Sequence, residues 1–533
     1  MTTSLLETCQ IPPTPDDDNV ELSLPLTSFD LIWLHFHPIR RLLFYEYPCS
    51  KPYFLDTLVP KLKHSLSLTL KHYLPVAGNL IYPSNTEEKK PVFRYVAGDS
   101  VSLTIAESSN DFDNLIGNHA RDADQFYDFV PQIPPVKDEH DYKKLRVIAL
   151  QVTLFPGRGI CIGLANLHSL GDASSIIGFM SAWASITKFG GETEFLKEKG
   201  ESLPIFDRSL IKDPMGADSI YWKVMRELPL MSSTFPLPTD NVRATFILHQ
   251  ADIQRLKDLV LAKKLQVSSF VVTTCYIWSC LVKSGDAIGE EVDGDVLEYF
   301  IFPVDARARI NPPLPANYFG NFLGCGLAKR EHEKLVSDEG FMIAVEGVAE
   351  DMKNRVNNKE ELLKGRENWV SESTKFMGRR VLGISGSPKF DLCSADFGWG
   401  RARKLEVLSI DGEKYSMSLC KSSDLEGGLE VGLSLPKQRM EAFTSIFTSG
   451  LGLGLGLGLG LSLKTTLAMV QFLRLVPFML CAVNPPGSLD FTSFFKSAIS
   501  TSDSATAGVG VGGAGDDECG ELLGGGFRER GFD

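Results

Sequence analysis

A mixed α/β fold with large sheets is predicted by three features of this 533-residue sequence. Apolar residues recur at three and four over 54–75. Two β-branched runs at 147–168 flank a glycine turn and lead straight into another helical pattern. After a proline-rich stretch, a second set of strands and helices follows. Strands and helices mixed in both halves point to layered α/β or α+β architecture.

Each element has a local reason. The first 19 residues read as a loop, and "ELSLPLTSFDLIWL" (21–34) as extended, mixed chain. In "FLDTLVPKLKHSLSLTLKHYLP" (54–75), Leu55, Leu58, Val59, Leu62, Leu66, Leu70 and Tyr73 line one helical face, and Pro75 marks the stop. "VIALQVTLF" and "ICIGLANLH" are strands joined by the turn "PGRG". "DASSIIGFMSAWASITKF" is a helix with Ile176, Phe179, Met180, Trp183 and Ile186 on one face, ended by Gly190–Gly191. His168 thus closes a strand and Asp172 opens a helix. Residues 196–235 are rich in proline and polar side chains and read as a long crossover. Beyond it come helices at 252–264 and 268–282, a strand at 297–304 and a Pro/Gly loop at 311–324. Strands at 415–420 and 429–435 and a closing helix at 438–450 follow.

The expected organisation is a first domain at 1–195, a crossover at 196–235, a second domain at 236–450 and a tail at 451–533. The tail opens with a Gly-Leu repeat that matches neither helical nor strand period. It reads as a disordered or artefactual extension, such as a mis-spliced gene product would carry, with a functional tail as the alternative.

Composition narrows the function. A net charge of −13 argues against a nucleic-acid surface. Ten scattered cysteines form no C-x-x-C pair, which fits reduced thiols in the cytosol. The N-terminus lacks a basic stretch followed by an apolar run, so no secretory leader is expected. No uninterrupted run of 18 apolar residues marks a membrane span. Arg474 and Pro477 break the nearest one.

Two motifs carry chemistry. In "NLHSLGDASS" (166–175), His168 precedes Asp172 by four, at a strand end before a helix start. Side chains there reach a cleft, and the helix start offers free N–H groups to an anion. The residues alone leave three roles open for His168: base, satisfied structural histidine and, least supported, metal ligand. In "DFGWGRARKLE" (396–406), glycines bracket a tryptophan. This is either a turn over a buried ring or a close approach to a ligand. Arg401, Arg403 and Lys404 could meet phosphates or form a solvated face. An arginine in "VDARARINPPLPANYFGNFLG" could pair with a buried carboxylate. "GISGS" (383–387) lacks the last glycine of a nucleophile elbow, and no G-x-G-x-x-G opens a helix after a strand.

His168–Asp172, Asn317–Asn321 ("NYFGN") and Asp396–Gly400 ("DFGWG"), in this order, resemble the plant BAHD acyltransferases. "LPLTSFDLIWLHFHPIRRLLFYEYP" and the helix that follows resemble them too, over about 20–450. The likeness is to the branch that acylates sugars of anthocyanins, flavonoids and phenolic glucosides, often with malonyl groups. The resemblance implies a two-domain chloramphenicol-acetyltransferase-like fold with a solvent channel between the domains. It implies His168 as general base, acyl-CoA as co-substrate, no permanently bound cofactor and no metal. Asp172 would then pair with Arg307 and support the histidine loop, with Asn321 nearby. Asp396, Gly398, Trp399 and Gly400 would shape the CoA side, and Ser268 and Ser269 would line the pantetheine path. The expected protein is a cytosolic monomer that acts on a phenolic or flavonoid glycoside, with no nucleic-acid or membrane partner.

The sequence departs from the family at three places. Ala402 stands where the family has a proline, and Phe322 where many malonyl-transferring relatives have a cysteine. Some of those relatives carry an arginine on the first turn of the helix after the histidine. Here Ile176 occupies that region, and a buried malonate without a cation is costly. An aromatic donor such as coumaroyl-CoA is the alternative on the same fold. A non-catalytic binding paralogue is the alternative of a different class.

Overall fold

The structure is a computed structural model that describes residues 2–452 apart from 15–19, 229, 231–239, 413–414 and 424–425. The Gly-Leu repeat and tail lie outside the described residues, except for the first two. The described residues form one compact unit.

The architecture is mixed α/β, built on two large sheets and a smaller one. The first sheet has six strands, in the order Thr3–Ile11, Val101–Ser108, Ile148–Phe155, Gly159–Asn166, Ile39–Tyr45 and Lys404–Val407. The second has seven: Leu323–Glu331, Leu297–Asp305, Arg380–Ser385, Ser416–Lys421, Leu429–Pro436, Asn241–Leu248 and Arg121–Asp122. Each sheet therefore takes one edge strand from the other half of the chain.

The hairpin at 148–166 pairs antiparallel from Ile148 opposite Asn166 to Phe155 opposite Gly159. Every residue of both strands is buried, which explains their continuous apolar runs. Leu150, Val152 and Leu154 enter the main core, and Ala149 and Phe155 a second core on the opposite face.

The helix Ala173–Phe189 follows the histidine turn, capped by the Asp172 side chain and closed by Gly190 in the left-handed region. It packs on the helix Val59–His72, which carries Pro60 in its first turn. Trp183 donates to the Leu62 carbonyl at 3.2 Å, and Ser65 and Thr187 bond at 2.7 Å.

Three local expectations differ from the structure. Thr3–Ile11 is not a loop but an edge strand paired with Val101–Ser108. Its alternation is broken by a register shift between Leu5 and Glu7, and Leu5 is exposed. Within 21–34, Leu22–Pro25 is a strand, but Ser28–Leu31 is a helical turn held by a capping box between Thr27 and Asp30. The crossover is not wholly irregular, since the helix Ala217–Met225 lies inside it.

Where the sheets exchange strands, charges are buried. Glu406 pairs with Arg121 at 2.9 Å and with Arg243 at 3.1 Å, and Arg243 also bonds Asp411. Burial opposes charge on Glu406, yet the arginines hold its pKa down at about 2.

Candidate active site

A cavity of about 650 Å³ opens between the two large sheets. Trp33, His37, Arg41 and His168 line it from the first half of the chain, and Leu323, Ser385 and Tyr415 from the second. Its wall is predominantly apolar with a few polar groups, the usual make-up of a small-molecule site.

His168 stands just beyond the strand Gly159–Asn166, in a single turn of 3₁₀ helix. Its imidazole stacks on Trp33, with ring centroids 4.0 Å apart and planes 10° from parallel, and meets Phe36 edge-on. Nδ1 is buried, and the residue borders the cavity. Burial pushes the His168 pKa down to about 4. A hydrogen bond to its own main chain acts in the opposite direction, and Arg41 and His37 add to the lowering. The ring is therefore neutral near pH 7 and has a lone pair to accept a proton.

Asp172 does not reach this ring. Its carboxylate takes both terminal nitrogens of Arg307, at 2.7 and 3.1 Å, and the backbone N–H of Phe322 at 3.1 Å. Arg307 also donates to the carbonyls of Tyr318 and Gly320, each at 3.0 Å. Asp172 and Arg307 are only 3% and 2% exposed, so this is a buried bidentate pair between the helix start and the proline-rich loop. Asn321 completes the clamp. Its amide donates to the carbonyls of His168 and Ser169, at 3.0 and 3.2 Å, and to Asp30 at 3.1 Å.

The Asp396–Gly400 turn lies outside the cavity wall. Asp396 accepts from the N–H groups of Gly398 and Gly400, both at 2.8 Å, and from Lys188 at 2.8 Å. Phe397 is buried edge-on against Trp183, and Trp399 packs beside Tyr45 and Tyr47. The basic run after it is already paired: Arg401 grips Asp391, and Lys404 is buried beside Asn118 and Glu430. Lys404 is thus neither a phosphate ligand nor part of a solvated face. Ser268 caps the helix Ser269–Ala287 through the Val271 N–H. Neither Ser268 nor Ser269 borders the cavity, but the next residue, Phe270, does.

Known proteins resemble this chain in sequence and fold. The family model described as the Transferase family matches residues 9–449. A malonyl-coenzyme:anthocyanin 5-O-glucoside-6'''-O-malonyltransferase of Salvia splendens is 57% identical over 452 residues, covering 84% of this chain and 96% of that protein. A phenolic glucoside malonyltransferase 1 of Nicotiana tabacum is 47% identical, covering 84% of this chain and 99% of that protein. Among solved structures, vinorine synthase superposes with a TM-score of 0.62 at 19% identity, over 83% of this chain and 96% of its own. This chain belongs to the BAHD acyltransferases. Its fold is the two-domain fold of that family.

Within this BAHD chain, sequence reasoning missed Trp33, Phe36, His37 and Arg41. They sit in the stretch that carries the family likeness, yet no periodicity marks them. Trp33 and Phe36 join the site through ring contact with His168, and His37 and Arg41 by bordering the same cavity. "GISGS" is a second miss. Unsuited to an elbow, it still borders the cavity through Ser385, Gly386 and Ser387. The structure explains the glycine there: Gly386 has φ of +96°, and a Cβ on it would meet the Leu419 carbonyl at 2.7 Å.

Proposed function

We propose that this enzyme moves a malonyl group from malonyl-CoA to a sugar hydroxyl of a phenolic or anthocyanin glucoside, with His168 as the general base. The observation that carries the reading is a neutral imidazole facing a cavity shared by both sheets, in a chain 57% identical to a named malonyltransferase.

A sugar hydroxyl is a poor nucleophile until its proton is removed in the transition state. Nε2 of His168 takes that proton as the oxygen attacks the thioester carbonyl. The tetrahedral intermediate collapses with cleavage of the C–S bond. The CoA thiolate recovers the proton from the imidazolium, giving a malonyl ester and free CoA without an acyl-enzyme. Trp33 fixes the ring plane by stacking. Asp172, Arg307 and Asn321 hold the loop that presents it and touch no reacting atom. The pantetheine arm would pass Ser268–Phe270, and the Asp396–Gly400 turn would support the CoA side from behind the wall. Cytosolic action as a monomer completes the reading, and the eight free cysteines among the described residues fit a reducing compartment.

The test is a mass-resolved assay. Protein ending after residue 452 and the full chain are each offered phenolic and anthocyanin glucosides with malonyl-, acetyl- or coumaroyl-CoA. One added malonyl group, absent with His168→Ala, is the expected product. A coumaroyl product would move the enzyme to aromatic donors. A folded protein without turnover on any donor would favour the binding paralogue.

A further inference from the structure

The proposed donor raises an electrostatic problem. A malonyl thioester carries a carboxylate close to the carbonyl that must meet His168. The helix after the histidine opens with Ala173–Ile176, which supplies no cation. An unpaired carboxylate in a largely apolar cavity is costly, more so than an uncharged polar group. Another residue must therefore answer that charge.

Three arginines border the cavity: Arg41, Arg355 and Arg366. Two are engaged. Arg366 donates to Asp213 at 2.9 Å and to the Lys212 carbonyl at 2.7 Å, and Arg355 is held by Asp351 at 3.0 Å. The Arg41 guanidinium has no hydrogen bond, ion pair or ring contact among the described residues. Its backbone is fixed between Leu164 of the histidine strand and Val407 of the exchanged edge strand. The neighbouring charge on Arg41 is one of the causes that lower the His168 pKa, so the two side chains lie within electrostatic reach. A small cavity of about 30 Å³ adjoins the large one, and both are bordered by Arg41, Ala173, Ser385, Gly386 and Phe390. Arg41 thus stands at the neck between them, beside the first residue of the 17-residue helix Ala173–Phe189. The positive end of that helix adds to the attraction for an anion. Burial lowers the Arg41 pKa to about 10, so it stays charged at neutral pH with no anion of its own.

We propose that the Arg41 guanidinium receives the free carboxylate of the malonyl group, places the thioester carbonyl beside His168, and so selects malonyl-CoA over uncharged acyl donors. The proposal rests on the malonyl reading above. Guanidinium suits the task because its planar fork binds a carboxylate through two parallel hydrogen bonds. Ile176 is then no defect, since the charge is met from the sheet instead of the helix.

The test compares kcat/KM for malonyl-CoA and acetyl-CoA in wild type, Arg41→Met and Arg41→Lys. For Arg41→Met we expect a loss of about 100-fold with malonyl-CoA and a change under about 3-fold with acetyl-CoA. Arg41→Lys should recover part of the malonyl rate, keeping charge without the fork. Equal losses on both donors in Arg41→Met would overturn the proposal, because they would make Arg41 a general support of the site. Retention of the wild-type malonyl rate would overturn it too. Should Arg41→Met not fold, Arg41→Gln replaces it, with the same donor ratio as readout. Wild-type protein that uses coumaroyl-CoA and not malonyl-CoA would refute the donor reading itself, before any variant is made.

Discussion

His168–Asp172 and Asp396–Gly400 look alike on paper, each a short motif joining an aspartate to glycine and a ring. The structure puts their aspartates in different settings, one in a buried ion pair and the other in an exposed turn. Asp172 bonds an arginine 135 residues away and so ties the histidine turn to the loop that closes the other side of the site. Asp396 closes its own turn through Gly398 and Gly400, and its further tie, to Lys188, is a half-exposed pair at the surface. The first ring faces the cavity, and the rings of the second are packed behind it. A conspicuous motif can thus mark chemistry or a demanding piece of backbone, and the partner of its carboxylate tells which.

The sharpest way to break that contrast is to remove the base. His168→Ala should lower kcat by about 10³-fold, within the range of ~10²–10⁴ for a general base, and leave the melting curve nearly unchanged. An equal kcat loss in Asp396→Asn would erase the distinction. Next comes the buried pair. Arg307→Met strands the Asp172 carboxylate and should cost about 3–5 kcal/mol in denaturant unfolding. Adding Asp172→Ala should restore part of that stability, because the uncompensated charge is gone.

The pH dependence follows from the same burial. His168 and His37 are both pushed down to about 4 by burial, from an ordinary 6.5. The unfolded chain then binds more protons than the native one below pH 6.5. Stability is complete above that pH and falls as pH drops towards 4. In the range where the protein stays folded, kcat/KM should hold through pH 6 and decline only towards pH 4, which stopped-assay pH profiles would check. An acid limb centred at 6.5 would mean a solvated base. The smallest effect belongs to the second motif. Gly398 has φ of +91° and an open space where a Cβ would sit, its nearest neighbour being 3.8 Å away. Gly398→Ala should therefore cost only the backbone penalty, about 1–2 kcal/mol, with kcat unchanged.

Much of the fold was legible because burial writes a period into the chain. The hairpin at 148–166 and the helix at 173–189 were readable for that reason, one from continuous apolar runs and the other from a stripe at three and four. Thr3–Ile11 was not, because an edge strand with a register shift and an exposed Leu5 keeps no clean alternation. The histidine turn was visible through its glycine and helix start, and the family likeness pointed to Arg307 and Asn321. Trp33 and Arg41 were hidden for a different reason. A ring stacked on His168 and a cation bordering a cavity are products of tertiary packing, and a strand that reads "IRRLLFY" does not say which arginine faces which side.

The exchange of edge strands between the two large sheets has a consequence for how such proteins can be rearranged. Each half lends the other a strand, and Glu406 meets its two arginines only when both loans are in place. A chimaera that joins the front of one relative to the back of another would import a foreign strand into both sheets at once. Its donor and acceptor specificities could be recombined only if the residues facing Arg121, Arg243 and Glu406 travelled with the graft. Modular swapping of whole halves, natural in a protein with two sheets, is restricted here by a shared border that neither half owns.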